Sequence, residues 1–152
     1  MRNINNYLKF IALLIVTIIL TLFLASQYKN NDESELYLYA NKITESEFEE
    51  FLIETPDAII YLSKKYNPKY ENFEIEFKKN IEKYNLKNNF VFIDSDTISK
   101  KFYENLELKY NNPLIKCKGP RVLLILDSKM SNEYCITSKI NANNFINYKV
   151  FE

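Results

Sequence analysis

Two cysteines, Cys117 and Cys135, are the only side chains in this sequence able to form or exchange a disulfide. Such a bond needs Cα atoms within about 7 Å. A hairpin centred near residues 129 and 130 pairs Cys135 with about Leu124. If residues 117–124 run extended at about 3.3 Å per residue, Cys117 lies roughly 20 Å further along. The expectation is two unbonded cysteines, unless the chain folds back before Pro120. Cys135, between Tyr134 and Ile136, reads as a small buried apolar residue. Asp94, Asp96 and Thr97 raise the question of a metal site, but an EF-hand loop needs a glycine and a distant bidentate glutamate. The end of a strand and the cap of a helix account for both carboxylates, so no metal is expected. Lys64, Lys65 and Lys69 near a helix start could hold an anion; exposed lysines are the simpler reading.

Composition removes other chemistries. The sequence has no histidine, which excludes Ser/His and Cys/His catalysis and His-ligated zinc. Its single glycine, Gly119, cannot build a P-loop or a dinucleotide-binding phosphate loop, so no small-molecule cofactor is expected. Twenty basic and twenty acidic residues give no net charge, and lysines alternate with glutamates along the helical stretches. That pattern lacks the basic stripe a nucleic-acid partner requires. Apolar content of 47% with 26% charge is that of a folded domain.

The elements that would position these groups begin with a membrane segment. "FIALLIVTIILTLFLA", Phe10 to Ala25, carries no charge, and Ser26 and Gln27 extend it. The length is near the lower limit for crossing a bilayer. A signal peptide would need small residues at −3 and −1, whereas cutting after Ala25 or Ser26 puts Phe23 or Leu24 at −3. An uncleaved anchor over about 8–27 is expected, within an N-terminal region of residues 1–30. Arg2 and Lys9 precede it, while Asp32, Glu33 and Glu35 follow Lys29. Positive flanks stay cytoplasmic, which places the rest of the chain outside as a single-pass membrane protein.

One domain follows, over residues 36–151. "ELYLYANKI" (35–43) alternates like a first strand. Thr44 and Glu47 then form a capping box, with Ile43 and Phe48 as its hydrophobic staple, and Pro56 ends the helix. "AIIYL" (58–62) and "FVFID" (90–94) are short apolar runs of buried strands. Between them Asn67 caps a helix with Pro68 in its first turn, and Phe73, Phe77, Ile81 and Tyr84 form its apolar face. Asn88 and Asn89 break that helix. Asp96 caps a third helix carrying Ile98, Phe102 and Leu106. "RVLLILD" and "EYCIT" make a hairpin, and a helix over 141–151 closes the chain. The order is β-α-β-α-β-α-β-β-α, an α/β fold.

That order, with its placed features, resembles the thioredoxin fold, a central mixed sheet with flanking helices. It is similar in particular to small membrane-anchored thioredoxin-like proteins of low-GC Gram-positive bacteria, bacteriocin transport accessory proteins among them. "AIIYLSKKYNPKYENFEIEFKKNIEKYNL" follows the family's strand, loop, Cys-X-X-Cys and helix. "FVFIDSD" matches the next strand, and "GPRVLLILDS" the stretch with a cis-proline. The resemblance implies a cis bond at Pro120. It also puts Asn67 and Tyr70 where the family has its reactive cysteines, and Tyr61 where it has a buried carboxylate. An amide and a phenol cannot do dithiol chemistry, since neither carries a thiolate. No catalytic residue is therefore expected at this turn, and the proton-transfer carboxylate is expected to be missing. In this fold the loop before the proline lies beside the former redox turn. Tyr66, Asn67, Pro68, Lys69 and Tyr70, with Lys118, Gly119, Pro120 and Arg121, would form a shallow aromatic and basic surface for a peptide or protein client. Export or envelope maturation is the implied setting. One alternative is an oxidoreductase accessory using the single thiol of Cys117, whose plainer reading is an incidental cysteine. Another is a tethered structural domain without a peptide site.

Overall fold

Strand β2, Ala58–Ser63, has all six side chains buried. Period-two alternation then deals its neighbours to two cores. Ile59 and Tyr61 point to one, Ala58, Ile60 and Leu62 to the other. Phe90 and Phe92 of β3 (Phe90–Asp94) join the first, while Val91 and Ile93 join the second. Val122 and Leu124 of β4 (Arg121–Leu126) divide from Leu123 and Ile125 in the same way. A computed structural model describes residues 2–29 and 33–137 of the chain. Its five-stranded sheet has the order β1-β3-β2-β4-β5, with β1 at Asn41–Lys42 and β5 at Lys129–Cys135. β3 runs parallel to β1 and β2, whereas β4 is antiparallel to both β2 and β5. This is the mixed sheet that the resemblance implies.

Helices cover both faces. On the first lie α2 (Glu35–Tyr39) and α4 (Glu71–Lys83), with Leu36, Phe73, Phe77 and Ile81 buried. Tyr61 sits at the centre of that layer, with ring centroids 5.7 Å from Phe77 and 5.4 Å from Phe92, both edge-to-face. Such pairs add to area burial because each positive ring edge meets a negative face. On the second face α3 (Phe48–Glu54) and α5 (Lys100–Tyr110) set Phe48 edge-on against Phe102 at 5.1 Å.

The N-terminal unit is one helix, α1, Arg2–Lys29. Its Lys9–Ser26 stretch is long and apolar enough to cross a membrane. Eighteen residues at 1.5 Å each reach about 27 Å. The hydroxyls of Thr17 and Thr21 donate back to carbonyls one turn earlier, so both of these protons are paired within the helix.

Several local expectations need correction. Residues 35–39 are helical rather than extended. Ser34 Oγ accepts from the Tyr37 N–H at 3.2 Å, and Leu36 and Ala40 are buried four residues apart, a helical period that two tyrosines had disguised as alternation. Only Asn41 and Lys42 of the expected first strand pair in the sheet. The Asn67 side chain makes no capping bond; its carbonyl instead accepts from Tyr70 N–H at 2.9 Å in a 3-10 turn begun by Pro68. Asp96 does not cap α5. Ser99 does, accepting from Phe102 N–H, while Asp96 pairs with Lys64 at 2.8 Å. α4 ends at Lys83, before the two asparagines expected to break it. Asn85 there takes a left-handed φ of 54°, and Leu86 N–H donates to the Ile81 carbonyl. The Thr44–Glu47 interaction is present, since Thr44 N–H donates to the Glu47 carboxylate at 2.7 Å and opens the 3-10 turn that leads into α3. The helix expected over 141–151 lies outside the described residues.

Phe77 is fully buried and contacts Tyr61, Phe73 and Phe90. Phe77→Ala is expected to cost about 3–5 kcal/mol in urea unfolding of the detergent-solubilised chain. Ile53→Ala, at an 82% exposed position, should change stability by less than about 0.5 kcal/mol.

Candidate functional site

β2 and β4 are antiparallel neighbours, and Leu62 pairs with Arg121 at the last residues of their shared ladder. The chain leaving β2 and the chain entering β4 therefore emerge side by side. Residues 64–70 and 116–121 are brought together by that register. Tyr70, at 8% exposure, turns inward from the first loop. A Cβ placed on Gly119 would lie 2.7 Å from the Tyr70 hydroxyl and 2.4 Å from the Ile136 carbonyl oxygen. Both distances are below any real contact and one partner is backbone, so only glycine fits. The sole glycine of the chain is used for close approach.

The other candidate residues divide by environment. Tyr66, Pro68, Lys69 and Lys118 are exposed, and Asn67 is half-buried. Lys69 Nζ stands 5.4 Å from the centroid of the Tyr70 ring. Pro120 is buried, and its carbonyl accepts from Ile136 N–H at 2.8 Å. The Gly119–Pro120 bond is trans, as is every described peptide bond. That corrects the cis bond implied by the resemblance, the only ground for expecting one. Arg121 is committed internally. Its guanidinium is paired with the carboxylate of Glu133, which is 3% exposed, and lies 5.3 Å from the Tyr103 ring centroid. Sequence reasoning gave no warning of that partner, which pairing across β4 and β5 supplies.

The cysteines are joined. Cys117 and Cys135 form a disulfide with Cα atoms 5.5 Å apart, so the expectation of unbonded cysteines, and with it the single-thiol alternative at Cys117, is corrected. The register explains the error. The turn lies at Asp127 and Ser128, both with positive φ, rather than at 129–130. Cys135 consequently pairs with Arg121, and an irregularity sits between Leu124 and Ile125. The chain also bends at Lys118 and Gly119, the fold-back on which a disulfide depended.

A buried carboxylate is present after all, on a different element. Glu74 of α4 is 1% exposed, and its Oε1 accepts from the Tyr61 hydroxyl at 2.9 Å and from Ser63 at 3.4 Å. Among the described residues its Oε2 has no hydrogen-bond partner. Burial raises the Glu74 pKa above the ordinary range, with the hydroxyls of Ser34, Tyr61 and Ser63 partly offsetting the rise. Burial and the Glu74 charge push the Tyr61 phenol well up in turn. The signal was available: Tyr70, Glu74, Phe77 and Ile81 follow a four-three-four spacing, which puts Glu74 on the inward face. No cysteine stands in the turn that precedes it. Among the described residues no group of three metal-binding side chains is placed to hold an ion.

No protein-family model and no curated protein matches the sequence. Solved structures do match. A provisionally assigned oxidoreductase with a thioredoxin fold superposes with a TM-score of 0.56 at 14% identity, over 77% of this chain and 97% of its own. Oxidised mitochondrial thioredoxin 3 from Saccharomyces cerevisiae gives 0.50 at 15% identity, over 72% of this chain and 92% of its own. Identities this low speak to architecture alone. The chain has a thioredoxin-like α/β fold with one long apolar helix at its N-terminus.

The Glu74 carboxyl generates a pH prediction. Because its folded-state pKa is raised, folding is most favoured while the group is protonated in both states. Stability is lost as pH rises from the unfolded-state value of about 4.3 through the folded one. Glu74→Gln, which keeps an acceptor for Tyr61, should flatten this loss and be more stable than the parent at neutral pH. Below about pH 4 the two should converge. Urea midpoints measured across that range, with equal slopes against pH for both proteins, would contradict the assignment.

Proposed function

We propose that this chain is a membrane-tethered thioredoxin-fold module, facing away from the cytoplasm, that binds an extended segment of a client protein without dithiol catalysis. The binding surface is the junction of the 64–70 and 116–121 loops. The observation that carries the reading is the packing of the Tyr70 phenol against Gly119. A bulky, redox-inert side chain fills the turn, while the adjoining Gly119–Pro120 backbone stands beside it. In this fold that backbone can pair with an extended peptide as an added strand. Exposed Tyr66, Lys69 and Lys118 surround it. Tyr66 offers a rigid amphipathic contact and the lysines favour an acidic or carbonyl-rich segment. Arg121, held by Glu133, shapes the surface instead of contacting the client.

The tether is α1, and its orientation rests on two basic side chains, Arg2 and Lys9, before the apolar stretch against one, Lys29, after it. A disulfide in the globular part accords with an oxidising compartment outside the cytoplasm. Assistance to export or envelope maturation, as in the bacteriocin transport accessory group, is the physiological setting we assign.

One observation favours a second reading. Cys117 lies in the loop before Pro120, beside the client surface, and is bonded to Cys135 at the end of β5, so the disulfide could itself act on client thiols and make the chain an oxidoreductase. Turnover separates the two. The full chain in nanodiscs should show no sustained reduction of insulin with a thiol reductant supplied; steady turnover abolished by Cys117→Ser would establish the second reading. Binding is tested with a permanently unfolded, carboxymethylated polypeptide as client. The combined Tyr66→Ala and Lys118→Ala variant should bind it at least about tenfold more weakly, the scale of losing one interface anchor. Unchanged affinity would remove this surface from consideration.

A further inference from the structure

The geometry points to the Cys117–Cys135 disulfide as a redox-controlled clamp that sets the position of residues 116–119, and thereby the shape of the client surface. As a statement about client binding it rests on the reading just given; as a statement about the loop it stands alone.

Residues 112–120 contain no helix or strand. Between its ends, where Asn112 N–H donates to the Glu107 carbonyl at 3.2 Å and the Pro120 carbonyl accepts from Ile136 N–H, four holds keep the segment in place. Leu114 N–H donates to Glu107 Oε1 at 3.0 Å, and Ile115 N–H donates to Glu133 Oε2 at 2.8 Å. Cys117 is bonded to Cys135, and Gly119 is wedged between the Tyr70 hydroxyl and the Ile136 carbonyl. Glu107 is exposed, where a single hydrogen bond competes with water and contributes little. The Gly119 contact is steric and has no attraction of its own to restore the loop once it moves. The Ile115 bond to the nearly sealed Glu133 holds one end of the segment, and the covalent bond is the hold on its Cys117 end. Beyond it the chain is firm, because buried Pro120 accepts from Ile136 N–H and Arg121 enters the ladder opposite Cys135. Opening the disulfide frees 116–119 to move between Ile115, which Glu133 still holds, and Pro120.

The bond is placed to be opened. Both cysteines are half-buried rather than enclosed, and Ile115, Lys116 and Lys118 around Cys117 are exposed. Two lysines flank Cys117 directly, and neighbouring cations favour its thiolate as a leaving group. The reductant is a dithiol. One of its thiolates attacks the Cys135 sulfur, forming a mixed disulfide and releasing Cys117 as a thiolate. Its second thiol, deprotonated, displaces Cys135 and leaves as the reductant's own disulfide. Two electrons pass to the chain, and the two protons given up by the dithiol end on Cys117 and Cys135. Freed of the clamp, Gly119 no longer presents a fixed edge beside Tyr70. A client must then order that loop as it binds, which weakens association.

The test uses the full chain in nanodiscs, oxidised or reduced with dithiothreitol, with thiol alkylation and mass measurement to establish the state. Amide hydrogen exchange across 116–119 should accelerate at least about tenfold on reduction, while Ala58–Ser63 and Phe90–Asp94 keep their protection. The carboxymethylated polypeptide should bind the reduced form about tenfold more weakly. The Cys117→Ser, Cys135→Ser double variant should match the reduced form and ignore dithiothreitol. Unchanged exchange in a fully alkylatable protein overturns the clamp, as does a disulfide that opens only in denaturant. A loosened loop with undiminished binding overturns its control over the client. Absence of binding in both states sinks the client reading alone, because the exchange measurement still decides the clamp.

Discussion

A strand buried on both faces constrains everything around it. β2 cannot turn a polar group to water on either side, so its polar groups find partners inside, and the tyrosine and serine near its end meet a glutamate from α4. The same double burial requires helices on both faces and strands on both flanks. β4 supplies the antiparallel flank, so its entry must coincide with the exit of β2. The meeting of the 64–70 and 116–121 loops is thus a consequence of core packing. The candidate surface follows from sheet register before any side chain on it is chosen.

Side chains then decide what that surface can do. With asparagine and tyrosine at the turn there is no thiolate for α4's N-terminal dipole to stabilise. The tyrosine ring occupies space instead, and the glycine opposite yields to it. Sulfur is present one loop away, with one cysteine at the end of β5 and the other on an irregular segment. The difference in chemistry is large. A Cys-X-X-Cys pair on a helix start is preorganised to attack. A bond between a strand and a coil mainly restrains the coil, and by loop closure it stabilises the fold by about 2–4 kcal/mol.

Much of the architecture was legible because it is written in periodicity. The runs at 58–62 and 90–94 were apolar without interruption, and Phe73, Phe77 and Ile81 kept a helical spacing; each lies where that pattern places it. What could not be read depended on single-residue registers. A shift of two residues in the centre of the 127–128 turn moved the partner of Cys135 from Leu124 to Arg121. That turned a separation far too great for a disulfide into a Cα distance of 5.5 Å. The stretch at 35–39 failed for a related reason. Five residues of mixed aromatic and aliphatic character fit a period of two or of 3.6 equally well, and Ser34 as cap decided the matter. The region of the candidate surface was placed by the order of elements, but the commitments of Tyr70 and Arg121 were not, because both depend on partners distant in sequence.

The internal ion pair bears on how the surface holds its shape. Glu133 is nearly sealed from solvent and binds the Arg121 guanidinium through one oxygen and the Ile115 N–H through the other. A buried carboxylate is costly unless both oxygens are satisfied, and here the second partner is the backbone of the 112–120 segment. The segment therefore completes a charge network rooted in the β4–β5 hairpin, while the disulfide holds it in reach. Neither restraint alone fixes direction: the ion pair leaves the Cys117 end free to turn, and the sulfur bond leaves the Ile115 end free. Together they fix two points of the loop on one strand, and the third, Gly119, is set by the Tyr70 phenol.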